Sequence, residues 1–253
     1  KEALGKAIME NKIVPVFAGS AAKEVGIKEL MDFIIQDLPS PSEAPAVEAT
    51  DLKTNEKVEI SPGGTNYPSA LVFQTISDLY VGQISVFRVF SGGISSNTTL
   101  YNSSEGAPEK FGQLFTRSGK AEKQITEVKA GDIACAVKLK NTHTGNTICG
   151  DKNKVLFKEM QFPEPAISFS IKPKTRSDED KISTALHKLT EEDMTFRIAR
   201  DAQTKELVAS GMGDLHINIM LKRLKKRYGV DVDIGTPKVA YKETITSKGE
   251  AHY

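Results

Sequence analysis

Two proline-rich stretches, "PSPSEAPA" at 39–46 and "FPEPA" at 162–166, constrain this chain most. Proline fixes φ and removes a backbone donor, so neither stretch can run through a helix or a central strand. They divide 253 residues into three segments, each with its own hydrophobic periodicity. That length supplies more than one core. The expected boundaries are 1–45, 46–160 and 161–236, with 237–253 opening a further region that is cut off.

The first segment reads helix, strand, loop, helix: "KEALGKAIMEN", "KIVPVFAGS", "AAKEVG", "IKELMDFIIQDL". Ile27, Leu30, Ile34 and Leu38 recur at helical spacing, while Val14, Val16 and Phe17 suit a buried strand. This is the pattern of the tail of an α/β domain. Residues 39–46 read as an extended linker.

Between Tyr67 and Lys158 short apolar alternations are separated by Gly, Asn and Ser, as in "ALVFQTI", "GQISVFRVF", "TTLYN", "KFGQLFT" and "DIACAVKL". Ile133, Cys135, Val137 and Leu139 are expected to share one face. Turns at Ser91-Gly92-Gly93 and Thr144-Gly145-Asn146 favour a closed barrel or a sandwich, of which the barrel is preferred. Beyond Pro165 the order is strand, helix, two strands, helix, strand, which predicts a ferredoxin-like βαββαβ domain. The fold class is therefore multidomain α+β.

Thirty-four Lys and Arg against 33 Asp and Glu give a net charge of +1, so no global field steers the chain towards nucleic acid. Cys135 and Cys149 lack metal-ligand or CxxC spacing and point to reduced thiols in a cytoplasmic setting. No apolar run reaches membrane-spanning length, and no membrane partner is expected.

The stretch "SGMGDLHINIMLKRLKKRYG" at 210–229 holds most of the candidate site residues. Ile217, Met220, Leu221, Leu224 and Tyr228 form one helical stripe, explained by packing. Gly211 and Gly213 permit a tight turn with positive φ or close backbone approach, but GxxxxGK[ST] and GxGxxG are both missing. Lys222, Arg223, Lys225, Lys226 and Arg227 read either as a solvated helix end that complements the dipole or as a phosphate-contacting patch. His216 has no second ligand at metal spacing and no nucleophile partner, so it reads as packed or interfacial. "SDED" and "EED" lie at opposite ends of one helix and read as capping and solvation, and Arg88 reads as structural.

Longer phrases carry a resemblance. "VPVFAGSA" followed by "GIKELMDFIIQDLPSPSEAP", "YVGQISVFRVFSGGI" with "VKAGDIACAVKLKNTHTGNTIC", "FPEPAISFSIKPKTRSDEDKISTALHKLTEED" with "SGMGDLHINIMLKRL", and "PKVAYKETI" occur in order. The chain resembles bacterial elongation factor G and its close paralogues among translational GTPases. The resemblance implies the end of a GTPase domain, a domain II β-barrel of translation-factor type, a ferredoxin-like domain III and the first residues of domain IV.

It implies that Ser20 and Ala21 belong to a guanine-recognition loop, and that Leu215, His216 and Arg223 border an interdomain cleft of the kind that takes fusidic acid. Lys222, Lys225, Lys226 and Arg227 become candidates for ribosome or RNA contact. The implied partners are the ribosome, with its rRNA and proteins, and the GTPase domain and domains IV and V of the parent chain. GTP and Mg²⁺ belong to a full-length parent GTPase. This piece, without P-loop, switches or Asn-Lys-x-Asp, is expected to hold no cofactor and to be inactive alone.

His216 is expected to find its packing surface outside this chain, so that its replacement leaves the chain's own stability unchanged. Asp214 stands where the family usually has Glu, Asn218 where an acid is common, and "DAQTKELVASG" lacks the usual Thr-Gly turn. These departures leave a paralogue in ribosome recycling or protection open beside a translocase, and the basic helix leaves open an autonomous RNA-binding protein.

Overall fold

The computed structural model describes residues 2–62, 67–78, 81–119, 121–241 and 243–252. They divide into two compact units, 1–75 with 81–159, and 76–80 with 160–253.

The first unit opens with helices α1 (Glu2–Met9) and α2 (Ile27–Asp37). The segment between them departs from expectation. Residues 13–19 form no strand, and Val14 and Val16 are 83% and 91% exposed, because no strand among the described residues offers them hydrogen bonds or cover. The linker is not simply extended either. Pro41–Glu43 form a 3₁₀ turn in which the Glu43 carboxylate accepts from Ser40 N at 2.7 Å. A Cβ added at Gly131, whose φ is +95°, would overlap Pro41 Cβ, so proline and glycine fit each other closely.

The strands that follow are β1 (Val47–Asp51), β2 (Lys57–Ile60), β3 (Ser69–Asp78), β4 (Gly82–Ser91), β5 (Gly93–Ser95), β6 (Thr98–Asn102), β7 (Ala107–Phe111), β8 (Leu114–Ser118), β9 (Ala121–Ile125), β10 (Glu127–Lys129), β11 (Ile133–Val137), β12 (Thr147–Cys149) and β13 (Val155–Phe157). Eight of them make one sheet in the order β7-β6-β12-β3-β4-β11-β8-β9.

"KFGQLFT" thus divides into β7 and β8, which stand near opposite ends of that order yet are joined only through Gly112 and Gln113. So short a connection forces the sheet to roll up. Phe111 and Leu114, on either side of it, meet in one core with Ala70, Phe87, Leu100 and Ile148. Phe87 and Phe111 pack edge to face at 5.5 Å.

Ile133, Cys135 and Val137 share one face of β11, as expected, but that face lies away from the barrel core. Ala134 and Ala136 enter the barrel core while Ile133 is 54% exposed and Cys135 is buried on the other side. With phenylalanines and leucines filling the interior, only small side chains fit there. Leu139 still reaches the core because Lys138, at φ +60°, interrupts the alternation. A second cluster, Ala49, Ile60, Val155 and Phe157 with Cys149, packs the sheet β13-β1-β2. Both cysteines are free and buried, and burial pushes the Cys135 thiol pKa up.

The second unit contains β14 (Ile167–Pro173), α3 (Arg176–Glu192), β15 (Arg197–Arg200), β16 (Leu207–Gly211), α4 (Asp214–Tyr228) and β17 (Val232–Gly235). Its sheet runs β15-β16-β14-β17 with antiparallel neighbours, the ferredoxin-like order. Thr175 caps α3 by accepting from Asp178 N, and Gly229 at φ +67° ends α4. Ile182, Leu186 and Leu189 of α3 and Ile217, Met220 and Leu224 of α4 cover Ile171 and Ala209 of the sheet.

Candidate functional site

The corner between β16 and α4 sets the geometry of this region. A Cβ added at Gly211 would lie 2.9 Å from both His216 Nδ1 and Ile217 Cγ1, so glycine is required there by close approach. Gly213 has φ 173° with open space around it, and nothing in its conformation demands glycine.

His216 bridges three elements of the second unit. Met212 N donates to Nδ1 at 3.1 Å, Nε2 lies 3.1 Å from Asp193 Oδ2, and the ring meets Phe196 edge-on at 6.0 Å. Asp193 Oδ1 accepts from Thr195 N at 2.9 Å and Thr195 Oγ1 at 2.6 Å. Burial raises the Asp193 pKa, but the Thr195 hydrogen bonds and His216 outweigh it and hold the carboxyl below its usual value. The imidazole thus packs inside its own unit rather than against a surface outside the chain, because the corner folds it back towards the end of α3.

Leu215 points outward instead. It is 74% exposed, beside Met212 at 42%, and Ile219 continues the strip one turn along α4 at 40%. Arg223 lies a further turn along, exposed, with Nη1 3.8 Å from Met220 Sδ.

The five cations of α4 divide into two groups. Lys225 Nζ lies 2.8 Å from Asp231 Oδ2, which Lys174 also approaches at 3.4 Å. Arg227 Nη1 lies 2.8 Å from Glu192 Oε1 and 2.9 Å from Oε2. Lys222, Arg223 and Lys226 are exposed and make no ion pair among the described residues. Sequence spacing along one helix could not show this division, because Asp231 lies in the next loop and Glu192 on another helix. Asp193 and Glu192 were legible only as a solvated helix end.

In the first unit Ser20 and Ala21 sit on a tight loop. Ser20 N and O pair with Val25 O and N at 3.0 and 3.1 Å, and Ala21 starts a 3₁₀ turn, Ala21–Lys23. A Cβ added at Gly19 would lie 2.8 Å from Val25 O, so the loop closes tightly on a glycine. Arg88 stacks its guanidinium 5.6 Å from the centre of Phe90, a structural contact.

A cleft of about 920 Å³ in the second unit is floored by Ile171, Ile182 and Leu207 and rimmed by Arg200, Glu206 and Lys238; none of the sequence-derived site residues lines it. Among the described residues no group of acids, histidines and cysteines could hold a metal ion, and no helix is long and apolar enough to cross a membrane.

A rolled antiparallel barrel and a ferredoxin-like domain on one chain define a multidomain α+β protein of translation-factor type. Residues 68–151 match the family model of elongation factor G domain 2, and residues 162–236 that of elongation factor G domain III. The chain is 39% identical over 251 residues to the elongation factor G of two Dehalococcoides mccartyi strains, covering 99% of this chain and 36% of each relative. A crystal structure of a protein from Thermus thermophilus superposes with a TM-score of 0.76 at 28% identity, over 94% of this chain and 33% of that one. The chain belongs to the elongation factor G family, and it spans about a third of the length of the curated relatives it matches.

Proposed function

We propose that this chain is a segment of a ribosome-dependent translational GTPase that promotes movement of tRNA and mRNA during protein synthesis in the cytoplasm, and that its two units relay nucleotide state to the ribosome. In this reading residues 1–45 end the GTPase domain and residues 237–253 open domain IV. The exposed Val14, Val16 and Ile35, the last at 77%, support the first assignment, since an apolar surface of that kind belongs against the rest of a sheet.

The residues present do not by themselves fit GTP or Mg²⁺. The loop at Ser20 and Ala21 presents small side chains that let a flat base approach closely, while phosphate and cation ligands belong to other parts of the parent. Leu215, His216 and Arg223 border the cleft that faces the GTPase domain. Within that set Leu215 makes the contact and His216 shapes the corner.

Lys222 and Lys226 are the cations best placed for ribosomal RNA, with Arg223 beside them. Lys225 and Arg227 are held by their carboxylate partners, which lowers their capacity for phosphate. An RNA-binding role for this chain alone therefore has fewer available charges than the sequence offers.

The observation that carries the proposal is Leu215, an aliphatic side chain 74% exposed at the start of a helix whose backbone corner is fixed from three sides. The test is GTP turnover and tRNA–mRNA movement by the purified full-length parent on ribosomes. Turnover coupled to movement supports the reading. Turnover that splits ribosomes or displaces a bound drug without movement assigns the parent to recycling or protection.

A further inference from the structure

Leu215 is too exposed for side-chain packing to aim it, so its direction is set by the backbone of residues 211–214. That backbone leaves the sheet at Gly211, the last residue paired with β14, and Met212 N has no ladder partner. Its hydrogen bond goes to His216 Nδ1 at 3.1 Å.

An amide N–H can only donate, so Nδ1 must be the unprotonated nitrogen of the ring. The single proton of the neutral imidazole then sits on Nε2 and is donated to Asp193 Oδ2 at 3.1 Å. Asp193 is oriented for this by the two Thr195 donors on its other oxygen. Polarity is thus transmitted in one direction, from Thr195 through Asp193 and His216 to the Met212 amide.

We propose that Asp193 is a positioning residue for the surface made by Met212 and Leu215: by accepting the His216 Nε2 proton it keeps Nδ1 free to hold the Met212 amide and fix the corner. This rests on the reading that the corner faces a partner domain. Phe196, which meets the ring edge-on, holds the plane of the imidazole but has no say in its tautomer.

Asp193→Asn tests this with almost no change in shape. With Asn Oδ1 still accepting from Thr195, the new NH₂ faces His216 Nε2, donor against donor. The ring answers by moving its proton to Nδ1, where it confronts the Met212 amide.

In wild-type chain, nitrogen-15 NMR of His216 is expected to show the Nε2–H tautomer; an Nδ1–H tautomer overturns the proposal without any variant. In Asp193→Asn the tautomer is expected to switch and Met212 amide exchange to accelerate about tenfold. Thr195→Ala, which leaves the carboxylate in place, is expected to keep the wild-type tautomer. Unchanged Met212 exchange in Asp193→Asn overturns the relay.

In the full-length parent on ribosomes, Asp193→Asn and Leu215→Asp are both expected to slow tRNA–mRNA movement. If only Leu215→Asp does so, the positioning role fails and the partner-facing reading stands. If neither does, the partner-facing reading fails and takes the proposal with it.

Discussion

Arg227 near the end of α4 places one guanidinium nitrogen 2.8 and 2.9 Å from the two carboxylate oxygens of Glu192 at the end of α3, and the Glu192 side chain is only 8% exposed. Glu192 Oε1 also accepts from Ser77 N at 2.8 Å. Removing the arginine leaves a nearly buried carboxylate without its cation. Arg227→Ala is expected to destabilise the second unit by about 1–3 kcal/mol, with Lys226→Ala within about 0.5 kcal/mol of wild type. Denaturant midpoints at unchanged slope measure both.

Gly131 and Gly213 make opposite predictions. At Gly131 positive φ combines with overlap on Pro41, so Gly131→Ala is expected to cost about 1–3 kcal/mol and to loosen the linker from the barrel. Gly213→Ala, in extended backbone with open space, is expected to change stability by less than about 0.5 kcal/mol. Thermal melts of the two variants side by side are the check.

Glu109 is 4% exposed and accepts from Lys140 N at 3.0 Å, Asn141 N at 2.9 Å and Thr142 Oγ1 at 3.0 Å, organising the loop between β11 and β12. Glu109→Ala is expected to cost about 2–4 kcal/mol, because three buried or half-buried donors lose their acceptor. Ser85 is the counter-case: its hydroxyl is buried on β4 and has no hydrogen-bond partner among the described residues. Ser85→Ala is expected to be neutral or stabilising in the same assay.

The Asp193 carboxyl, held below its usual pKa, gives a pH dependence of definite sign. A depressed folded-state pKa contributes stability that is fully present above the unfolded value of about 4 and is lost as pH falls through the folded one. The stability difference between wild type and Asp193→Asn is expected to shrink as pH falls below about 4, where the wild-type carboxylate becomes protonated. A difference that grows on acidification contradicts this assignment.

These cases also show where the sequence was sufficient. The span of α4 could be read from the stripe Ile217, Met220, Leu221, Leu224, with Gly229 ending it, because helical periodicity and a left-handed stop are local properties. The ferredoxin-like order of the second unit followed in the same way. The face of β11 did not, since whether alanine or isoleucine points inward depends on how much room Phe87, Phe111 and Leu114 leave. Nor did the partners of Lys225, Arg227 and His216, whose carboxylates are brought in by tertiary structure. The exposed Val14 and Val16 show the remaining limit: periodicity marks a residue as apolar but not what covers it.

If, as proposed, the corner of the second unit couples nucleotide turnover to movement on the ribosome, Leu215→Asp in the full-length parent separates the two steps when GTP hydrolysis and tRNA–mRNA movement are followed in the same reaction. A buried charge at an interface of this kind is expected to slow movement about tenfold or more while hydrolysis continues. Equal rates of both steps in wild type and variant would contradict it.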